Sequence, residues 1–366
     1  MQHSLWSSQA GGAVLTTTEA GRRRRPLGRA GKTPLATEWP AGTAGRLLWG
    51  SGAPCAEPAE GGAAAVDRGG SGVILVTGAT GHVGYHLLEQ LADARVPATA
   101  MVRVEAEAED LPTSVRHVVG TLDGPPPAEV LQTFERVFLL SPSEEGQVEL
   151  EMSFVDALIA AGHGPRIVKV AADGFQEPDC EVRFMRNHRL VATHLDATGL
   201  PVTYLAPNLY MENLLSATGA IREQAALTAP AGAGRVGFVA ASDVAAAAVH
   251  ALTGDGQEDG VHVLTGPEAL SYADVAGRIS TVFARQVDYA DVPPERARET
   301  MLADGLPAWQ ADGMIELFEW IRNGGCDTVT DEVRQATGRD ARPVEDWLSE
   351  WRGAFLGPGD LTPPRF

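Results

Sequence analysis

A chain of 366 residues with 44% apolar and 21% charged side chains can fill a globular core of two or three domains, which excludes a disordered or collagen-like protein. Lysine and arginine total 29 against 48 acidic residues, and residues 1–72 hold 8 basic and 5 acidic groups, so 21 and 43 remain in residues 73–366. So acidic a body repels phosphate backbones and anionic lipid, so neither a nucleic acid nor a membrane is expected as partner, although a small anionic ligand in a local pocket stays open.

From Met1 to about Gly72 the chain is rich in Gly, Ala, Arg, Ser and Pro without either apolar period. It reads as a disordered tail, dispensable or the product of an early start codon. Arg22 to Arg25 could begin an export signal or a basic arm, but Pro26 to Pro40 lacks the apolar run that export requires. No later stretch reaches the roughly eighteen apolar residues of a membrane span. Order begins at Val73 with VILVT, a run suited to a buried parallel strand. Further strands are predicted at Thr99 to Val102, Arg116 to Val119, Arg136 to Leu140, Arg166 to Val170 and Val202 to Leu205. Helices are predicted between them, with stripes of Val83, Leu87, Leu88 and Leu91, and of Leu150, Phe154, Leu158 and Ala161. This alternation implies right-handed crossovers and a doubly wound parallel sheet over residues 73–207. Residues 208–366 read as a smaller, mostly helical cap, with one strand near Val261 to Leu264 returning to the sheet. Cys55, Cys180 and Cys326 show neither CxxC nor histidine spacing, which argues against a disulfide scaffold or structural zinc and for a reducing cytoplasm.

The segment Thr77 to Gly84 (TGATGHVG) lies directly between the first strand and the first helix. Glycines there allow a tight turn, backbone approach to a diphosphate, and a helix whose unpaired N–H groups face that charge. Among 41 glycines such a spacing means little alone; the flanking elements supply the specificity. Gly78, Thr80, Gly81, His82, Val83 and Gly84 are therefore candidate cofactor contacts. Arg103 ends the second strand nineteen residues after Gly84, where an acidic residue would bind the ribose of NAD. An arginine suits a 2′-phosphate, so NADP(H) is favoured over NAD(H), unless Arg103 is an ordinary surface residue beside Glu105, Glu107, Glu109 and Asp110.

These residues resemble the NmrA-like, quinone-reductase-type branch of the atypical short-chain dehydrogenase/reductases. The resemblance rests on VTGATGHVG at 76–84, MVR at 101–103, VFLLSP at 137–142, RIVKVAADG at 166–174, HRLVATHLDATGLPVTYLAPNLYMENLL at 188–215 and SYADVAGRISTVFARQVDYADVPPE at 271–295. It implies a Rossmann domain binding NADP(H), a small C-terminal domain over a substrate cleft, and reductase or cofactor-sensing activity. The chain departs from the pattern in several places. Tyr85, Tyr204, Tyr210, Tyr272 and Tyr289 are followed four residues on by Glu89, Asn208, Leu214, Ala276 and Pro293, so the superfamily's Tyr-xxx-Lys relay is missing. Similar proteins usually have Ser at Ala171, Glu at Ala192, Arg at Ala206 and Asp at Thr121.

Several residues can still carry chemistry. Lys169, the only lysine after residue 72, shares one strand face with Ile167 and Ala171. It either touches the nicotinamide ribose or donates a proton, or it snorkels to the rim of the sheet or is paired with a nearby acid. His188 opens a helix where the family often has a cleft histidine, and is either a proton-transfer group or a helix-end residue. Asn208, Tyr210 and Asn213 follow the sixth strand and offer hydrogen bonds to a substrate or pack between domains. Leu140, Ser141 and Pro142 should pass beside the cofactor through their backbone. Phe175 either flanks an aromatic ligand or packs in the core. Asp243, beside Ser242, reads as a helix cap. Trp309, Trp320, Trp347 and Trp351 are explained by core packing or a subunit interface, a homodimer included. The expected activity is NADPH-dependent reduction of an apolar conjugated carbonyl compound, with Lys169, His188, Tyr210 or water supplying the proton. The alternatives are an NADP-sensing regulator without turnover, or a non-redox enzyme on the same fold.

Overall fold

The computed structural model describes residues 73–356 apart from 113, 114, 163 and 255–258. The disordered-tail reading of residues 1–72 lies outside the described residues.

The first half alternates as the apolar pattern predicts: β1 (Val73–Val76), α1 (His82–Asp93), β2 (Ala98–Val102), β3 (Arg116–Val119), α2 (Ala128–Leu131), β4 (Phe134–Leu139), α3 (Gln147–Ala160), β5 (Arg166–Val170), α4 (Arg183–Thr198) and β6 (Val202–Pro207). There follow α5 (Thr218–Gln224), β7 (Ala226–Ala229), β8 (Arg235–Val236), α6 (Ala241–Thr253), β9 (Gly260–Leu264), β10 (Leu270–Ser271), α7 (Tyr272–Phe283), β11 (Asp288–Asp291), α8 (Pro294–Ala303), α9 (Ala308–Arg322), α10 (Glu332–Thr337), α11 (Val344–Glu350) and α12 (Arg352–Leu356).

Seven strands form one parallel sheet in the order β3-β2-β1-β4-β5-β6-β9. Strand order reverses between β1 and β4, and ligands of open α/β sheets bind at the carboxyl ends beside such a switch point. Both sheet faces are covered, and the period of two in the strands divides their side chains between two cores. Ile74, Val76, Phe138, Val168 and Val170 pack on one side with α1 and α6. Leu75, Val137, Leu139 and Ile167 pack on the other.

The chain after Pro207 returns a helix as well as the expected strand to this layer, since α6 packs beside α1 and β9 pairs with β6. It also holds two small two-stranded sheets, β8 with β10 and β7 with β11, whose short runs gave no sequence signal. The signature at 271–295 opens with a capping box. Ser271 Oγ accepts the Asp274 N–H at 3.1 Å, and Asp274 Oδ2 accepts the Ser271 N–H at 3.0 Å.

Two expectations need correction. Asp243 does not cap α6. Its N-cap is Ala240, and the buried Asp243 carboxylate accepts the Arg342 N–H at 2.7 Å and pairs with Arg339 at 3.5 Å, tethering the loop before α11. On α3 the expected Phe154, Leu158 and Ala161 are buried, but Leu150 is only half-buried, and Gln147 and Glu151 extend the buried face instead because Glu151 pairs with Lys169 of β5.

Candidate active site

The glycine turn is built against the end of β4. Thr77 Oγ1 donates to the Leu140 carbonyl and accepts the Leu140 N–H, both at 2.8 Å, clasping the ends of β1 and β4. Gly78 sits at φ +62°, and a Cβ there would lie 2.9 Å from the Leu140 carbonyl oxygen. A Cβ on Gly84 would meet the Gly78 carbonyl oxygen at 2.1 Å. Only glycine fits at these two positions, and the helix is thereby drawn up against the turn. Gly81 caps α1 without a side-chain hydrogen bond. The first-turn N–H groups and the positive end of the helix dipole therefore suit a diphosphate. Thr80 is exposed, Val83 and Gly84 are buried, and the His82 ring turns toward Trp351, centroids 6.1 Å apart. Burial and the neighbouring His86 push the His82 imidazole below its ordinary pKa.

Arg103 reaches the end of β2 as expected but is already engaged. Glu107 accepts its backbone N–H and its Nε, both at 2.9 Å, and its Nη2 at 2.6 Å. The Arg103 side chain remains 63% exposed, so this pair is open to solvent and to exchange for another anion.

Leu140 joins the turn to a cavity of about 250 Å³ at the carboxyl ends of β4, β5 and β6. Leu140 to Ser143, Val170 to Asp173, and Pro207 to Tyr210 with Asn213 form three of its walls. Phe184, Met185 and His188 come from α4, and Gln310, Met314 and Leu317 from α9, with Cys326 beyond. Of the residues singled out in the sequence, Leu140, Ser141, Pro142, His188, Asn208, Tyr210 and Asn213 are thus brought together around one cavity. Asn208 is committed to the scaffold: its Nδ2 donates to Asp173 Oδ2 and to the Cys326 carbonyl, both at 2.9 Å, and its Oδ1 accepts the Leu209 N–H at 2.7 Å. Phe175 does not join them; its ring is 3% exposed and packs 5.8 Å from Tyr204, because this loop folds inward over β6.

Lys169 is also not on the cavity wall. It is 1% exposed and lies 3.0 Å from Glu151 Oε2 and 3.1 Å from Oε1. Ser141 Oγ donates to Glu151 Oε1 at 2.6 Å, and Gln147 Nε2 to the same oxygen at 3.3 Å. Burial pushes the Lys169 ammonium below its ordinary pKa, and the Glu151 carboxylate opposes that. The paired-acid reading of this lysine therefore holds. Burial of His188, with the Lys169 charge, drives its pKa well below the usual imidazole value and so favours the neutral ring. Burial and Glu212 push the Tyr210 phenol upward, keeping its O–H intact.

Sequence reasoning missed Glu151, Gln147, Asp173, Cys326 and the whole α9 wall. Gln147 and Glu151, four apart on a helix otherwise apolar toward the sheet, were the available signal. Burial raises the Asp173 carboxyl and takes the Cys326 thiol up to about 12, which makes that cysteine a poor nucleophile.

Residues 70–348 match the NmrA-like family, and the chain belongs to it. The NAD(P)H azoreductase of Xenophilus azovorans is 33% identical over 286 residues, covering 77% of this chain and 99% of that protein. The (4-alkanoyl-5-oxo-2,5-dihydrofuran-3-yl)methyl phosphate reductase of Streptomyces griseus is 32% identical, again covering 77% and 99%. Among solved structures, the NADPH-dependent quinone oxidoreductase of Escherichia coli in complex with NADPH shares the fold at a TM-score of 0.69 and 24% identity, covering 76% of this chain and 99% of that one.

Proposed function

We propose that this protein is an NADPH-dependent reductase of an apolar conjugated carbonyl compound such as a quinone or enone. The observation that carries this reading is the position of Leu140, which is shared by the diphosphate-shaped glycine turn and a mostly apolar cavity. A nicotinamide cofactor whose diphosphate rests on Gly78 to Gly84 supplies hydride when bound, and the Xenophilus azoreductase and the Escherichia coli quinone oxidoreductase that this chain resembles are named for such cofactors. Arg103 would meet a 2′-phosphate after exchanging Glu107 for it.

The residues around the cavity suit an acceptor that needs little acid assistance. Phe184, Met185, Met314 and Leu317 exclude water, which strengthens each remaining polar contact. Tyr210 keeps its proton and His188 is neutral, so both act as hydrogen-bonding groups rather than proton stores. Donation by the Tyr210 O–H to the substrate oxygen stabilises the negative charge that develops there. In a conjugated acceptor that charge is delocalised, and the reduced anion takes its proton from water. Burial first, and then the charge of Lys169 in its Ser141-held pair with Glu151, disfavour the protonated form of His188. No lysine or arginine lines the cavity among the described residues, so a phosphorylated substrate like that of the Streptomyces relative finds no counter-ion there.

Loss of NADPH absorbance against a panel of quinones, enones and azo compounds tests the reading. Turnover is expected with quinones or enones and should fall roughly tenfold to a hundredfold in Tyr210→Phe. NADPH binding with no turnover on any acceptor would overturn it in favour of a cofactor sensor.

A further inference from the structure

Three residues on the cavity wall each carry a buried polar atom with no hydrogen-bond partner among the described residues: His188 Nδ1, the Tyr210 hydroxyl and Gln310 Oε1. The first two have roles in the reaction proposed above; Gln310 has none. It stands on α9, 3% exposed. With Met314 and Leu317 it forms a stripe at i, i+4 and i+7 that faces the cavity, the single polar member of an otherwise apolar row. Close packing fixes this helix against α4: a Cβ on Gly313 would lie 2.5 Å from the Phe184 ring.

The orientation of the Gln310 amide follows from its neighbour. Its nitrogen donates to the Ser143 carbonyl at 2.9 Å. A carbonyl only accepts, so the amide cannot be turned round, and the oxygen is the end left free. A buried acceptor without a donor is unfavourable, and among the described residues no protein group relieves it. Asn208, another amide on the cavity wall, has both its ends engaged by Asp173, Cys326 and Leu209.

We propose that Gln310 is a specificity-determining residue whose oxygen accepts a hydrogen bond from the substrate. The preferred substrates are then conjugated carbonyl compounds bearing an N–H or O–H donor, amino- or hydroxy-substituted quinones and enones, rather than the bare hydrocarbon ring systems. Tyr210 addresses the reducible oxygen of such a molecule, and Gln310 addresses its donor from a different wall. The inference rests on the reductase reading, since it assumes that the cavity receives the acceptor.

Calorimetric binding of matched quinones to the full-length protein tests it, with no turnover required. The probes are 1,4-naphthoquinones carrying an amino or a methyl group at C2 or at C6, which are close in size and differ in the donor. Wild-type protein should bind at least one amino isomer about tenfold more tightly than its methyl counterpart, the worth of one good hydrogen bond. Gln310→Met keeps the length of the side chain and removes the acceptor, and should reduce that preference to within about twofold while leaving the methyl compounds as tightly bound. Equal wild-type affinities for amino and methyl compounds would overturn the role of Gln310 and leave the reductase reading intact, as would a preference that persists in Gln310→Met. Binding of neither class would remove the reductase reading and this inference together. The wild-type comparison alone decides should the variant not fold.

Discussion

The glycine turn and the cavity lie side by side yet are made in opposite ways. The turn uses backbone: eight consecutive residues in which Gly78 and Gly84 are demanded by contacts of 2.9 and 2.1 Å that a side chain would violate. The cavity uses side chains from β4, β5, α4, the segment after β6, and α9, separated by up to almost two hundred positions in the chain. A surface made from backbone tolerates almost any sequence beside it and binds an invariant ligand part. A surface made from scattered side chains can change its substrate without disturbing the turn.

The largest expected effect tests whether the cavity floor depends on its buried ion pair. Lys169→Met leaves Glu151 charged, 0% exposed and without its cation, and should cost about 3–5 kcal/mol in chemical denaturation. Adding Glu151→Met should restore most of that. A single substitution as stable as wild type would mean that the cavity floor does not depend on this pair.

A smaller effect concerns the strut behind the Tyr210 segment. Glu212 accepts the Ala241 N–H at 3.1 Å and Trp347 Nε1 at 3.0 Å, joining this segment to α6 and α11. Burial raises its carboxyl from 4.5 to about 7. The folded state thus holds a proton that the unfolded chain releases, so this stabilisation is full below about 4.5 and lost as pH rises through about 7. Glu212→Gln should remove roughly 3 kcal/mol of that pH dependence, measured as the difference in unfolding free energy between acid and mildly alkaline buffer. Parallel stability curves for the two proteins would contradict this.

The smallest effect sharpens the cofactor side. Glu107 competes for Arg103 with any 2′-phosphate, but the pair is exposed, so Glu107→Gln should raise the preference for NADPH over NADH in equilibrium binding by only about threefold. Arg103→Glu should abolish the preference. If it survives that change, Arg103 does not read the phosphate.

What was legible in the sequence follows the same division. The alternation of short β-branched runs with helical stripes located every strand of the large sheet within about two residues, because a strand covered on both faces has to be continuously apolar. The turn was legible because its ligand contacts are consecutive. Lys169 is visible in the sequence as a lone cation on a buried strand, but its partner is not, since Glu151 lies eighteen residues earlier on a helix whose clearest stripe is wholly apolar. Gln310 gave no signal at all: one polar residue at the start of an amphipathic helix is ordinary until the packing of Gly313 on Phe184 shows which way that face points. Phe175 illustrates the reverse case, an aromatic residue in a site-facing loop that turns inward to the core.

The measurement that tests the central claim most directly is a calorimetric titration of NADPH into the full-length protein and into Gly84→Ala. Saturable binding at one site per chain is expected for the wild type, with affinity falling on the order of a hundredfold or more once a methyl group forces helix and turn apart. Absence of binding to the wild-type protein, or equal affinity in a folded Gly84→Ala, would contradict a dinucleotide held on this turn beside the cavity.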